Sequence, residues 1–143
     1  MAADRRAEVT WEGELQTGKG EVTLASSGSG TFPVSWPSRT EEPDGRTSPE
    51  ELLAGAHAAC FAMAFSGGLG RAGTPPERLD VTATVTFVPG TGVTTSKLVV
   101  RGVVPGLDQA GFAEAAEAAE GRCPVSNAIR GNVEVTMEAT LAS

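Results

Sequence analysis

Two cysteines and a single histidine are the side chains in this sequence best suited to nucleophilic or redox chemistry. Cys60 lies in the middle of "SPEELLAGAHAACFAM", residues 48–63, and His57 precedes it by three residues. On a helix that spacing puts both on one face. It would permit a Cys–His nucleophile pair of the kind that thiol hydrolases use. No third orienting group or oxyanion loop accompanies the pair, so a histidine satisfied inside the core is the preferred reading of His57. Cys60 itself is either a small buried hydrophobe or a reactive thiol. Burial raises a thiol's pKa, so a reactive Cys60 needs a cation close by. The candidates are Arg39, Arg46, Arg71, Arg122 and a protonated His57.

Cys123 stands immediately before Pro124 in "GRCPVSNAIRGN". Proline pushes the preceding residue toward an extended backbone and can itself occupy the first turn of a helix. A thiol there would meet the positive end of the helix dipole, which favours the thiolate. The plainer alternative is a second buried cysteine. Two thiols in distinctive settings point to a redox pair, although sequence alone does not say whether they approach each other. One histidine and two separated cysteines match no zinc spacing, so no metal site is expected.

The elements that must position these residues are legible as periodic stretches. Residues 7–15 alternate, with Val9, Trp11, Gly13 and Leu15 expected on a buried face. A turn at 17–21 leads to a second strand through Val22 and Leu24, and a third runs near Thr31–Trp36. Residues 37–47, "PSRTEEPDGRT", read as a polar loop. Ser48, Pro49 and Glu51 then form a capping-box signature for a helix to about Arg71. Strands follow in "LDVTATVTF" (79–87) and "SKLVVRGVV" (96–104). A second helix starts near Asp108, with Phe112, Ala115, Ala116 and Ala119 on its inner stripe. A short helix after Cys123 and a last strand, "VEVTMEATL" (133–141), complete the chain. The order predicts a single α+β domain over residues 1–143, with antiparallel sheets around a central apolar helix.

That helix carries no formal charge from Leu52 to Leu69, 18 positions, which is the lower bound for a membrane span. Its Ala and Gly content, with His57 and Ser66 inside, instead predicts a helix buried on all sides. One 143-residue chain has little to cover it, so a second copy is expected to complete the core, giving a homodimer. A net charge of −7 and the absence of tyrosine argue against nucleic acid as a partner. No basic run suits an anionic membrane. The charged N-terminal stretch lacks an apolar signal core, which with two cysteines points to a cytoplasmic protein with reduced thiols.

The blocks "SPEELLAGAHAACFAMAFS" and "CPVSNAI" together resemble the OsmC/Ohr family, the osmotically inducible and organic-hydroperoxide-resistance proteins. The likeness runs over nearly the whole chain, from "WEGEL" and "GKG" through "SRTE" to "VEVT". "AHAACF" and "CPVS" look more like the OsmC branch. The resemblance implies an OsmC-like fold in an intertwined homodimer and a peroxiredoxin-like activity, organic hydroperoxide reduction. It implies that Cys60 is oxidised to a sulfenic acid and that Cys123 resolves it as a disulfide. Arg39 would hold the thiolate, with Arg46 as the other arginine of that loop, and Glu50 would orient Arg39. No metal, flavin or haem is implied. A dihydrolipoyl dithiol, free or on a lipoylated protein, would re-reduce the disulfide. The competing readings are a Cys60/His57 thiol hydrolase and a non-enzymatic redox-sensing protein on the same fold. The apolar wall beside Cys60, expected from Leu52, Ala56, Met63 and Phe65, would suit an alkyl hydroperoxide.

Overall fold

Alternation and capping build two compact units, Met1–Leu52 and Leu53–Ser143, which are described in turn from a computed structural model covering all 143 residues. The first unit contains β1 (Glu8–Glu12), β2 (Lys19–Thr23) and β3 (Thr31–Val34), an antiparallel sheet in that order. Of its three strands only β2 buries residues, Gly20 and Val22. β1 is an edge strand exposed along its length, so the expected burial of Val9 and Trp11 does not occur within this unit. Leu15, also expected inward, lies past the strand's end and is exposed.

Residues 36–40, split by the sequence reading between a strand end and a loop, form instead a short helix, α1 (Trp36–Thr40). Ser35 caps it by a reciprocal pair of hydrogen bonds with Ser38, each 3.1 Å, and Pro37 occupies the first turn. Ser38 Oγ also donates to Thr47 O at 2.9 Å, which ties the helix to the far end of its own loop.

The long apolar helix is α2 (Pro49–Arg71), whose first residues close the first unit. Its start is capped by Ser48, whose Oγ accepts from Glu51 N at 3.1 Å. The other half of the expected capping box is replaced. Glu51 accepts a 2.5 Å hydrogen bond from the Thr47 hydroxyl.

The second unit holds the rest of α2, then β4 (Arg78–Val88), β5 (Gly92–Val103), α3 (Gln109–Arg122), α4 (Pro124–Ile129) and β6 (Glu134–Leu141). β4 and β6 alternate as read, with Leu79, Val81, Ala83, Val85 and Phe87 on one side and threonines on the other. The sheet order is β4-β5-β6. β4 and β5 are antiparallel, but β6 runs parallel to β5, which corrects the expectation of antiparallel pairing throughout. The α3–α4 crossover supplies the length that a parallel connection needs.

The core of this unit joins three elements. Phe61, Phe65 and Leu69 of α2 pack with Leu98 and Val100 of β5 and with Phe112, Ala116 and Ala119 of α3. Phe65 and Phe112 lie 5.0 Å apart between ring centroids. The aromatic ring of Phe112 reaches the sheet because position 102 is glycine. A Cβ there would come within 2.6 Å of the Phe112 ring. α2 is long and apolar enough to cross a membrane, yet its buried face is one stripe, His57, Phe61, Phe65 and Leu69. The opposite stripe, including Ala56, Ala59, Met63 and Ser66, is exposed in the single chain, with Met63 at 74%. Burial on all sides is therefore not reached within this unit.

Candidate active site

α2 and α4 bring the two cysteines of the second unit together. Cys123 is fully buried and caps α4 with φ −66° and ψ 116°, the extended backbone that Pro124 demands. Cys60, half-buried on α2, packs against the same cluster, as does Val125. The two thiols share a hydrogen bond, and the Val125 N–H, in the first turn of α4, donates to the Cys60 sulfur. Burial pushes the Cys60 thiol above its ordinary range. The Val125 donor pulls the other way, and the adjoining Cys123 raises it further. Both cysteines are free thiols.

His57 sits one turn before Cys60 and is fully buried. Its Nδ1 is hydrogen-bonded to Ser96 Oγ of β5 at 2.7 Å and its Nε2 to Ser126 Oγ of α4 at 2.6 Å. Both serines are also fully buried. Neither ring nitrogen is left to take a proton from Cys60, so the histidine is the satisfied core group preferred from sequence. Ser96 and Ser126 were not singled out there. Ser126 stood in plain view within "CPVS", but nothing local ties a serine to a histidine 69 residues away.

Burial holds the His57 imidazole below its ordinary pKa, with Glu120 opposing and Arg130 reinforcing the effect. The unfolded chain therefore binds this proton first as pH falls below about 6.5. The folded state loses stability in that range, by at most ~1.4 kcal/mol per pH unit for one proton. Since His57 is the only histidine, chemical denaturation at several pH values between about 7 and 5 should show a decline that His57→Gln removes. Identical slopes in the two proteins would contradict the assignment.

The first unit pairs the two other residues singled out from sequence. Arg39 of α1 donates from Nε and Nη2 to both Glu50 oxygens, at 2.9–3.1 Å. Glu50, in the first turn of α2, is buried. The guanidinium also lies 5.6 Å from the centroid of the Trp36 ring, one turn earlier on α1. A bidentate grip of this kind fixes the plane of the guanidinium as well as its position. Arg46 has no such setting. It is exposed, with only Asp44 at 3.8 Å. Of the two arginines in the loop, Arg39 is the one that Glu50 holds, and Glu51 is engaged elsewhere. No group of three or more His, Cys, Asp or Glu side chains converges to hold a metal ion.

Comparison with known proteins gives these residues a setting. Residues 42–138 match the model of a family described as OsmC-like protein. The chain is 36% identical to the peroxiredoxin OsmC of Escherichia coli strain K12 over 146 aligned positions, covering the whole of both. It is 36% identical over 95 positions to an organic hydroperoxide resistance protein of Xanthomonas axonopodis pv. citri, covering 64% of this chain and 65% of the relative. Among crystal structures, the organic hydroperoxide resistance protein OhrB of Bacillus subtilis superposes with a TM-score of 0.74 at 28% identity, covering 94% of this chain and 98% of that one.

Proposed function

Because the chain belongs to the OsmC-like family, we propose that it is a cysteine-based peroxidase that reduces organic hydroperoxides to alcohols. The observation that carries this reading is the contact between the two cysteines, one on α2 and one at the start of α4, with a backbone N–H on the Cys60 sulfur. The names of the relatives, a peroxiredoxin and organic hydroperoxide resistance proteins, support the reaction class.

In the proposed cycle the Cys60 thiolate attacks one peroxide oxygen. The O–O bond breaks, and the alkoxide leaves with a proton as the alcohol. Cys60 becomes a sulfenic acid. Cys123 then attacks its sulfur, the S–S bond forms, and hydroxide departs to become water. A dihydrolipoyl-type dithiol returns the disulfide to two thiols and is itself oxidised. Thiols alone balance these steps, so the cycle invokes no metal, flavin or haem. Burial disfavours the Cys60 thiolate, and the cation assigned to offset it is Arg39, held in orientation by Glu50.

We further propose that the working form is a homodimer in the cytoplasm, where thiol reductants sustain such a cycle. The exposed stripe of α2 and the exposed Val9, Trp11, Leu15 and Phe32 are apolar surfaces that a second copy would cover. Phe65, expected from sequence to line the substrate wall, belongs to the core and is unavailable for that role. Leu52 remains half-buried outside the stripe assigned to the second copy and can meet an alkyl chain.

The test is peroxide consumption by the purified protein with dihydrolipoamide as reductant. Cumene hydroperoxide should be turned over with higher kcat/KM than hydrogen peroxide. Each buried CH₂ contributes on the order of 0.8 kcal/mol, about fourfold per group. Equal kcat/KM for the two peroxides would remove the organic-substrate reading.

A further inference from the structure

The structure assigns His57 and Ser126 a positioning role in disulfide formation: through their hydrogen bond the buried imidazole holds α4 where Cys123 meets Cys60. This inference rests on the reading of the two cysteines as a redox pair. α4 has six residues and no side-chain cap at its start. Its other side-chain tethers lead back to the preceding helix. Asn127 Nδ2 donates to Gly121 O at 3.2 Å, and Arg130, just after α4, reaches Glu120 at 3.0 Å. Those bonds fasten α4 to α3 but not to α2, where Cys60 sits. Apart from the contacts at the Cys60 sulfur, the polar side-chain link between α4 and α2 is Ser126 Oγ to His57 Nε2, at 2.6 Å.

Ser126 lies three residues after Cys123 and one after Val125, whose N–H holds the Cys60 sulfur. Ser126 therefore sits within one turn of both groups that touch Cys60. The far side of the ring is fixed by Ser96 in β5, the middle strand of the sheet. The ring, carried by α2, thus bonds the sheet on one side and α4 on the other, and only the Ser126 bond bears on α4. The side-chain hydrogen bonds of His57 and Ser126 go to each other and to Ser96, not to either sulfur, so their role is positional.

Two substitutions separate this role from simple packing. Ser126→Ala and Ser96→Ala each remove one hydrogen bond from the same buried ring, but only Ser126 lies on α4. The reaction to follow uses dithiobis-nitrobenzoate, an aromatic disulfide, so that closure is read without peroxide. Cys60 attacks a reagent sulfur, forms a mixed disulfide and expels one coloured thiolate. Cys123 loses its proton, attacks the Cys60 sulfur and expels a second thiolate as the Cys60–Cys123 bond forms. Misplacement of a reacting group by about 1 Å can cost up to ~100-fold in rate, so Ser126→Ala should slow the second release about tenfold or more. The first release, which does not use Cys123, and both releases in Ser96→Ala, which keeps the Ser126 bond to the ring, should stay within about twofold of wild type.

The two ends of the ring give an internal check by rescue. The longer amide side chain in His57→Gln can reach the place of Nε2 and keep the Ser126 bond. The shorter amide in His57→Asn stands in for Nδ1 and keeps only the Ser96 bond. His57→Gln should therefore close faster than His57→Asn. Equal slowing in the two serine variants, or none in Ser126→Ala, would reduce His57 to a packing role and overturn the inference. So would a wild type that gives no second release. If Ser126→Ala does not fold, the histidine pair decides, and an Asn variant closing as fast as the Gln variant overturns it. A wild type that releases both thiolates yet is inert to hydroperoxides would sink the peroxidase reading while leaving this one standing.

Discussion

Cys60→Ser should abolish hydroperoxide turnover, whereas Cys123→Ser should react once and stop. The difference follows from where each thiol sits. Cys60 is half-buried and carries the backbone donor of Val125, so it is the sulfur a peroxide can reach and whose developing anion has a hydrogen bond waiting. Cys123 is fully buried behind it, available to a neighbouring sulfur rather than to solvent. A hydroxyl in place of Cys60 is far less nucleophilic at neutral pH, and no other cysteine can replace it. In Cys123→Ser the first oxidation proceeds, but the sulfenic acid finds no resolving thiol in the chain. Mass spectrometry after one equivalent of alkyl hydroperoxide should find the loss of two hydrogens in wild type. Cys123→Ser should instead carry one added oxygen, trappable by a sulfenic-acid reagent. Turnover by Cys60→Ser at the wild-type rate would end the peroxidase assignment.

The second large effect is complementation between two inactive chains. On α2 Glu50 and Cys60 are ten residues apart, roughly 15 Å along a helix axis at ~1.5 Å per residue. An arginine held by both oxygens of Glu50 is not expected to span that distance to a thiol on the same helix. Antiparallel pairing of two copies removes the difficulty. We therefore expect Arg39 and Glu50 of one subunit to serve the cysteines of the other. Cys60→Ser and Arg39→Ala chains should each be nearly inactive alone. When mixed with full exchange, half the dimers are heterodimers, and each holds one intact and one doubly damaged site. Activity should then return to about a quarter of wild type. Complete subunit exchange, verified by native mass spectrometry, with no regained activity would show that each chain serves its own cysteines.

Much of this protein was readable from local pattern alone. Strict alternation placed Leu79, Val81 and Ala83 and also Val135, Met137 and Ala139 on the inner side of their strands, because a strand's period is fixed by its backbone. Ser48 and Pro49 announced the start of α2, and Pro124 forced the extended backbone of Cys123, since caps and prolines act within a turn of themselves. The paired blocks around Cys60 and Cys123 were enough to raise the family.

Tertiary structure decided what depends on distant segments meeting. α1 escaped notice because five residues are too few to show a period, and the Ser35–Ser38 cap is hidden among prolines. The parallel pairing of β6 leaves no mark on its sequence, since alternation is the same in either direction and the crossover alone sets the sense. The exposed faces of β1 and α2 follow from what the rest of each unit leaves uncovered, not from their own patterns. Whether Glu50 would take Arg39 or Arg46 turned on the path of a loop that the short α1 redirects. The serines that clasp His57 come from 39 and 69 residues further along the chain. A buried imidazole must be satisfied, but only the packed chain decides by which hydroxyls.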